Sequence, residues 1–249
     1  MNTFFDGFYR LATLGLILLA STLMSSPLWA VVNCVPSDFT LATQAEVDAF
    51  PATCDTVVGN LTINGADITD LTPLAALISI DEYLVIEGNT ALTNLDGLSA
   101  LTSVGFYLNI QLNPALTQID DLSGLTSVGL NVSILLNDAL TNLDGLSALT
   151  SVGLDLRIGG NTALTNLDGL AALTSVGADL VIVLNEALTN LDGLSALTSV
   201  GGTLHISDNT ALTNLDGLSA LISVGSNLRP IFDAVIIDNN PQLADCSWV

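Results

Sequence analysis

Along much of the chain an apolar residue recurs at every third position. Between 92 and 104 the series is Leu92, Leu95, Leu98, Leu101 and Val104. On an α-helix it would drift around the axis by about 60° per step, because a turn holds about 3.6 residues. An arc that turns one residue in and two out keeps all five inward. The spacing then changes: Leu108 and Ile110 are two apart, the period of a strand, and Asn113 follows three later. The succession restarts at Leu92, Leu116, Leu140, Leu164, Leu188 and Leu212, each 24 residues after the last, and Ile68 opens a more divergent copy in the same register. The string LTNLDGLSALTSVG stands unchanged at 92–105, 140–153 and 188–201.

A fixed period of this size predicts a repeat solenoid. Each coil is read as a short strand plus an arc, and stacking aligns the strands into a parallel sheet, ~4.8 Å apart. Strand cores are expected at 61–63, 84–86, 108–110, 132–134, 156–158, 180–182, 204–206 and 235–237. One coil cannot bury its own apolar face, so its neighbours must. Asn89, Asn113, Asn137, Asn161, Asn185, Asn209 and Asn240 recur where each strand would turn into its arc. Inside a stack they are expected to form a ladder that satisfies buried backbone groups.

The ends depart from the repeat. Thr43 and Glu46 make a capping box for a short helix running to about Phe50 and stopped by Pro51. Extra residues around Arg229–Asp233 interrupt the last strand region. The first residues read as an export signal: Arg10, an apolar run over 11–24, then Ser25, Ser26 and Pro27, with cleavage expected after Ala30. The run is short for a membrane span, so the mature chain is expected to be secreted or at the cell surface, without membrane insertion. The expected organisation is a signal peptide over 1–30, an N-terminal cap over 31–60, and a solenoid with its C-terminal cap over 61–249. Export permits disulfides. Cys34 and Cys54 flank the first structured segment and are expected to pair, clamping the short helix over the first coil. Cys246 is left over, either as a buried thiol or as one whose partner lies in a longer chain.

Charge narrows the partners. The chain has no lysine; Arg10, Arg157 and Arg229 stand against 25 acids, for a net charge of -22. Nothing here would replace the counterions of a nucleic acid, and an anionic membrane surface is disfavoured too. Asp96, Asp120, Asp144, Asp168, Asp192 and Asp216 share one repeat position. Stacked ~5 Å apart they would repel one another by roughly 1–3 kcal/mol at intermediate dielectric. Their expected role is to fix the turn by accepting backbone N–H bonds, with weak calcium binding as a by-product, since calcium wants six to eight oxygens and one carboxylate per coil supplies few.

The pattern Leu204, Ile206, Asn209, Leu212 resembles the leucine-rich-repeat motif. The longer string LDGLSALTSVGGTLHISDN at 191–209 is similar to the receptor L-domain in particular, as is CDTVVGNLTI at 54–63, with a cysteine before the first strand. The resemblance covers nearly all of 34–246. It implies a leucine-rich-repeat-like solenoid of the kind that forms ligand-binding lobes of receptor ectodomains and occurs in many surface proteins. Members bind different partners, so it implies a binding role and not a ligand.

No enzyme signature accompanies this pattern. His205 is the one histidine, no serine or cysteine sits in a nucleophile motif, and no cluster offers the three or four ligands of a zinc site. The expectation is a non-catalytic protein without a cofactor. Comparing copies points instead to a face. The arcs are nearly invariant, whereas the outward strand positions differ: Val85 and Glu87, Asn109 and Gln111, Ser133 and Leu135, Arg157 and Gly159, Val181 and Val183, His205 and Ser207. The preceding pairs vary too, among them Phe106-Tyr107, Leu130-Asn131, Leu154-Asp155 and Ala178-Asp179. Leu135, Arg157, Val181, Val183 and His205 are therefore the candidate ligand-binding residues, an apolar patch carrying scarce basic groups and suited to a protein or glycan, an acidic one included. The competing reading is a lattice-matching, ice-binding-like solenoid. Its basis is two threonine rows, Thr93, Thr117, Thr141, Thr165, Thr189 and Thr213, and Thr102, Thr126, Thr150, Thr174 and Thr198.

Overall fold

The structure, a computed structural model, describes residues 34, 36–225 and 234–243, all within one compact unit, Val31–Val249. The export-signal reading, Arg10, Arg229 and Cys246 lie outside the described residues.

The described chain winds into a solenoid with two parallel sheets. The larger holds nine strands: β1 (Phe39–Leu41), β2 (Leu61–Ile63), β3 (Leu84–Glu87), β4 (Tyr107–Gln111), β5 (Asn131–Leu135), β6 (Leu156–Gly159), β7 (Leu180–Val183), β8 (Leu204–Ser207) and β9 (Val235–Asp238). Their order across the sheet is their order in the chain. Pairing keeps like with like: Leu156 lies between Val132 and Leu180, and Ile158 between Ile134 and Ile182. The first strand, β1, falls inside the stretch expected to be only a cap. The arcs also hold more than the spacing suggested. Their Ser-Val pairs, such as Ser151–Val152 and Ser175–Val176, bond coil to coil as a second, eight-stranded sheet.

The core is the series of inward positions. In one copy Leu164, Leu167, Leu170, Leu173, Leu180 and Ile182 are all fully buried, and each such side chain contributes about 1.5–3 kcal/mol relative to exposure. Between sheets the arc tightens into single 3-10 turns such as Asp144–Leu146 and Asp168–Leu170. Glycine is required where coils touch backbone to backbone: a Cβ on Gly153 would lie 1.9 Å from the carbonyl oxygen of Gly129.

Polar groups are arranged in ladders. Asn113, Asn137, Asn161, Asn185 and Asn209 are fully buried. Each accepts, through Oδ1, the backbone N–H of the ladder asparagine in the coil before it, at 3.0–3.2 Å. Each donates from Nδ2 to an inward strand carbonyl, as Asn161 does to Ile134 at 2.9 Å. The threonine hydroxyls also bond between coils: Thr165 donates to the Thr141 carbonyl at 3.2 Å and Thr174 to that of Thr150 at 3.0 Å.

The aspartate row does not act as expected. Asp144, Asp168, Asp192 and Asp216 donate their backbone N–H to the side-chain oxygens of Asn142, Asn166, Asn190 and Asn214, at 3.0–3.1 Å. The turn is fixed by the asparagine two residues upstream, and the aspartate contributes its main chain; Ser147 N–H, for one, donates to the Asp144 carbonyl. The carboxylates of the row face solvent, where water screens the repulsion that seemed to call for a local partner. One carboxyl is different. Asp121 stands where most copies have glycine; partial burial, then a hydrogen bond donated to Asp96 and repulsion by it, then repulsion by Asp120, hold it above the usual carboxylate range.

At the N-terminal end, helix α1 (Gln44–Asp48) begins at Thr43, whose Oγ1 accepts the Glu46 N–H at 3.3 Å. The Glu46 carboxylate returns to the Ala42 N–H at 2.7 Å. Val47 is buried, and Phe50 packs on Phe39 of β1 with ring centroids 5.0 Å apart. Cys34 and Cys54 form a disulfide with Cα atoms 5.3 Å apart.

Candidate functional site

Strand side chains alternate between the two faces of a sheet. With Leu156, Ile158 and their equivalents turned inward, the residues between them line the outer face of the large sheet. Register places them in two rows. One runs Val85, Asn109, Ser133, Arg157, Val181, His205, Ile236, and the other Glu87, Gln111, Leu135, Gly159, Val183, Ser207, Asp238. Arg157, Val181 and His205 are thus direct neighbours. Leu135 and Val183 lie one strand to either side of Gly159. All five candidate residues share this face and are half-buried.

Arg157 is engaged within its own strand region. Its guanidinium lies 2.8 Å from the Asp155 carboxylate. Asp155 in turn accepts the Asp179 N–H at 2.9 Å, as Asn131 accepts that of Asp155 and Asp179 that of Thr203, at 3.0 and 2.8 Å. Asn131, Asp155 and Asp179 therefore bond successive coils together, and their variation is confined to side chains able to accept. The ion pair offsets the positive charge of Arg157, which weakens the case for an acidic ligand and leaves the apolar character of the face as its main feature.

The row just beyond the strands adds to that character. It reads Gly88, Leu112, Leu136, Gly160, Leu184, Asp208, Asn239, and every member has positive φ. Glycine, asparagine and aspartate adopt this left-handed conformation at little cost, whereas another L-residue costs roughly 1–2 kcal/mol. Three copies nevertheless carry leucine there, at φ 57°, 56° and 59°, with 50%, 50% and 52% of the residue exposed. These leucines escaped the reading of the strand positions. The signal was present: a position that is Gly, Asp or Asn in four copies and leucine in three. Between them Gly159 and Gly160 have no side chain and are buried: a Cβ on Gly159 would meet Val183 Cγ2 at 3.1 Å and Leu135 Cδ2 at 3.3 Å, and one on Gly160 would meet Leu136 Cδ2 at 2.6 Å. The neighbouring side chains lean over the two glycines and form a low apolar saddle.

Toward β3 and β4 the face changes. Tyr83 stacks on Tyr107 with centroids 4.9 Å apart and tilts against Phe106 at 5.7 Å. Gln111 Nε2 donates to the Glu87 carboxylate at 2.7 Å. Asn109 Oδ1 is buried without a hydrogen-bond partner.

Among the described residues no group of three or more His, Cys, Asp or Glu side chains is placed to hold a metal ion, and no helix is long and apolar enough to cross a membrane. The architecture and the face together define a parallel β solenoid with a varied, partly apolar outer sheet. Comparison with protein-family models, with curated proteins and with solved structures finds no match to this chain.

Proposed function

We propose that this protein is an exported, non-catalytic recognition or adhesion module that binds a protein or a glycan on the outer face of its large sheet. In this reading the frame is a leucine-rich-repeat solenoid of the receptor L-domain kind, built from 24-residue coils. Helix α1, held by the Cys34–Cys54 bond, covers its first coil. The observation that carries the reading is the contrast between nearly copied arcs and a varied face. Leu135, Val181 and Val183 stand there beside Arg157 and His205, and three half-exposed leucines continue the apolar surface. An apolar patch of this kind on a protein in water marks an interaction surface. The lattice-matching alternative is less well supported, because the threonine hydroxyls donate to carbonyls of the preceding coil. The test is to profile the purified mature protein against arrays of cell-surface glycans and extracellular proteins, with thermal hysteresis measured in parallel. Saturable binding to a glycan or protein, weakened by Val181→Asp at an unchanged unfolding midpoint, is expected. Thermal hysteresis without saturable binding would put the lattice-matching reading ahead.

A further inference from the structure

We propose that the saddle formed by Leu135, Leu136, Val183 and Leu184 about Gly159 and Gly160, continued one coil further by Leu112, is the docking surface for a basic protein segment that presents apolar side chains between cations. The inference rests on the sheet-face reading above and names the partner class.

Two independent features point to it. The first is strain combined with exposure. Leu112, Leu136 and Leu184 hold left-handed backbone and remain half exposed. Folding alone would be served at least as well by the glycine, aspartate or asparagine of the other copies. Strain of this kind gathers at binding sites. The second feature is charge. Asp138 and Glu186, both exposed, follow Leu136 and Leu184 by two residues, and Asp208 continues the leucine row itself. Among the described residues the nearest cation, Arg157, is held by Asp155, and the whole chain carries -22. An apolar saddle with an anionic border complements an apolar segment with a cationic border, and opposite potentials of this kind speed encounter and fix register.

The probe is a synthetic peptide alternating leucine and lysine, set against a leucine–glutamate peptide and a serine–lysine peptide of the same length. Binding is measured on the mature protein at physiological salt. The leucine–lysine peptide should bind at least about tenfold more tightly than either control, consistent with the apolar area two leucines still have to bury. The double variant Leu136→Asn, Leu184→Asn places at both positions a residue the row already accepts at Asn239, so the fold should persist with a near-native unfolding midpoint. That variant should erase the tenfold preference and leave serine–lysine binding unchanged. Asp138→Asn with Glu186→Gln should weaken leucine–lysine binding several-fold and flatten its salt dependence. Equal binding of the serine–lysine peptide, or a preference that survives the double leucine variant, would overturn the proposal. If Val181→Asp still abolished binding to a partner found by profiling, the sheet-face reading would stand without it; if neither set of variants changed any binding, both would fall.

Discussion

Replacing Asn161 by alanine should unfold the protein far more readily than replacing Asn142, although both are repeat asparagines within one turn of the coil. Asn161 is fully buried. Its Oδ1 accepts the Asn137 N–H at 3.1 Å and Asn137 Nδ2 at 3.3 Å, and its Nδ2 donates to the Ile134 carbonyl at 2.9 Å and to Asn185 Oδ1 at 3.3 Å. Truncation removes the acceptor of a buried backbone N–H, at about 1–3 kcal/mol, and the bond to the Ile134 carbonyl, at about 1 kcal/mol; the two longer amide–amide bonds of the ladder, at 3.3 Å, go with them and add little. The expected loss is therefore about 2–4 kcal/mol. Asn142 Oδ1 accepts only the Asp144 N–H, at 3.0 Å, near the surface, where water replaces it, and its loss should be about 1 kcal/mol or less. The assay is urea unfolding, with midpoints compared at constant slope. Asn161→Leu separates two causes: it fills the volume and still leaves the N–H unpaired, so it should remain nearly as destabilised as the alanine variant. Equal midpoint shifts for Asn161→Ala and Asn142→Ala, or full rescue by leucine, would refute the ladder's role.

Gly153→Ala should lower stability by about 1–3 kcal/mol, the usual cost of overpacking, because its Cβ would meet the Gly129 carbonyl oxygen at 1.9 Å; a thermal melt indistinguishable from the parent would contradict this. Asp121→Asn should raise the unfolding midpoint at neutral pH. The carboxyl's folded pKa is raised, so its contribution is favourable below the unfolded value and is lost as pH rises through the folded one; the gap between variant and parent should shrink toward pH 3, and a gap independent of pH would count against it. Cys54→Ser should cost about 3 kcal/mol, the effect of opening a loop of this length, and mass mapping of the protein purified without reductant should find Cys34 and Cys54 joined.

The inward pattern was readable because the solenoid uses one rule many times. Leu164, Leu167 and Leu170 must all point inward, and only an arc allows that. Asn161 was readable for the same reason, since a polar residue fixed inside an apolar series needs partners in the next coil. Strand β1 was not, because three residues at Phe39–Leu41 show no period of their own and are defined by pairing with β2. The second sheet stayed hidden for a similar reason: a Ser-Val pair such as Ser151–Val152 becomes a strand only through its neighbours. The turn was assigned to Asp144 when Asn142 closes it, because both residue types accept backbone N–H groups and composition does not say which side chain reaches. On the face, Leu135 and Val183 followed from alternation. Leu136 and Leu184 did not, because backbone handedness decides where they point, and leucine carries no expectation of the left-handed region.

The central claim is that the large sheet's outer face, and not the arc, meets the partner. The direct measurement compares four single variants of the purified protein for binding to the partner that profiling identifies, each with its unfolding midpoint. Arg157→Ala and Val181→Asp alter the face, whereas Thr165→Ala and Ser175→Ala alter the arc. The account predicts weaker binding for the first two and near-parental binding for the second two, with midpoints close to the parent throughout. Binding abolished by Thr165→Ala or Ser175→Ala and retained in Arg157→Ala and Val181→Asp would contradict it and transfer the working surface to the threonine rows.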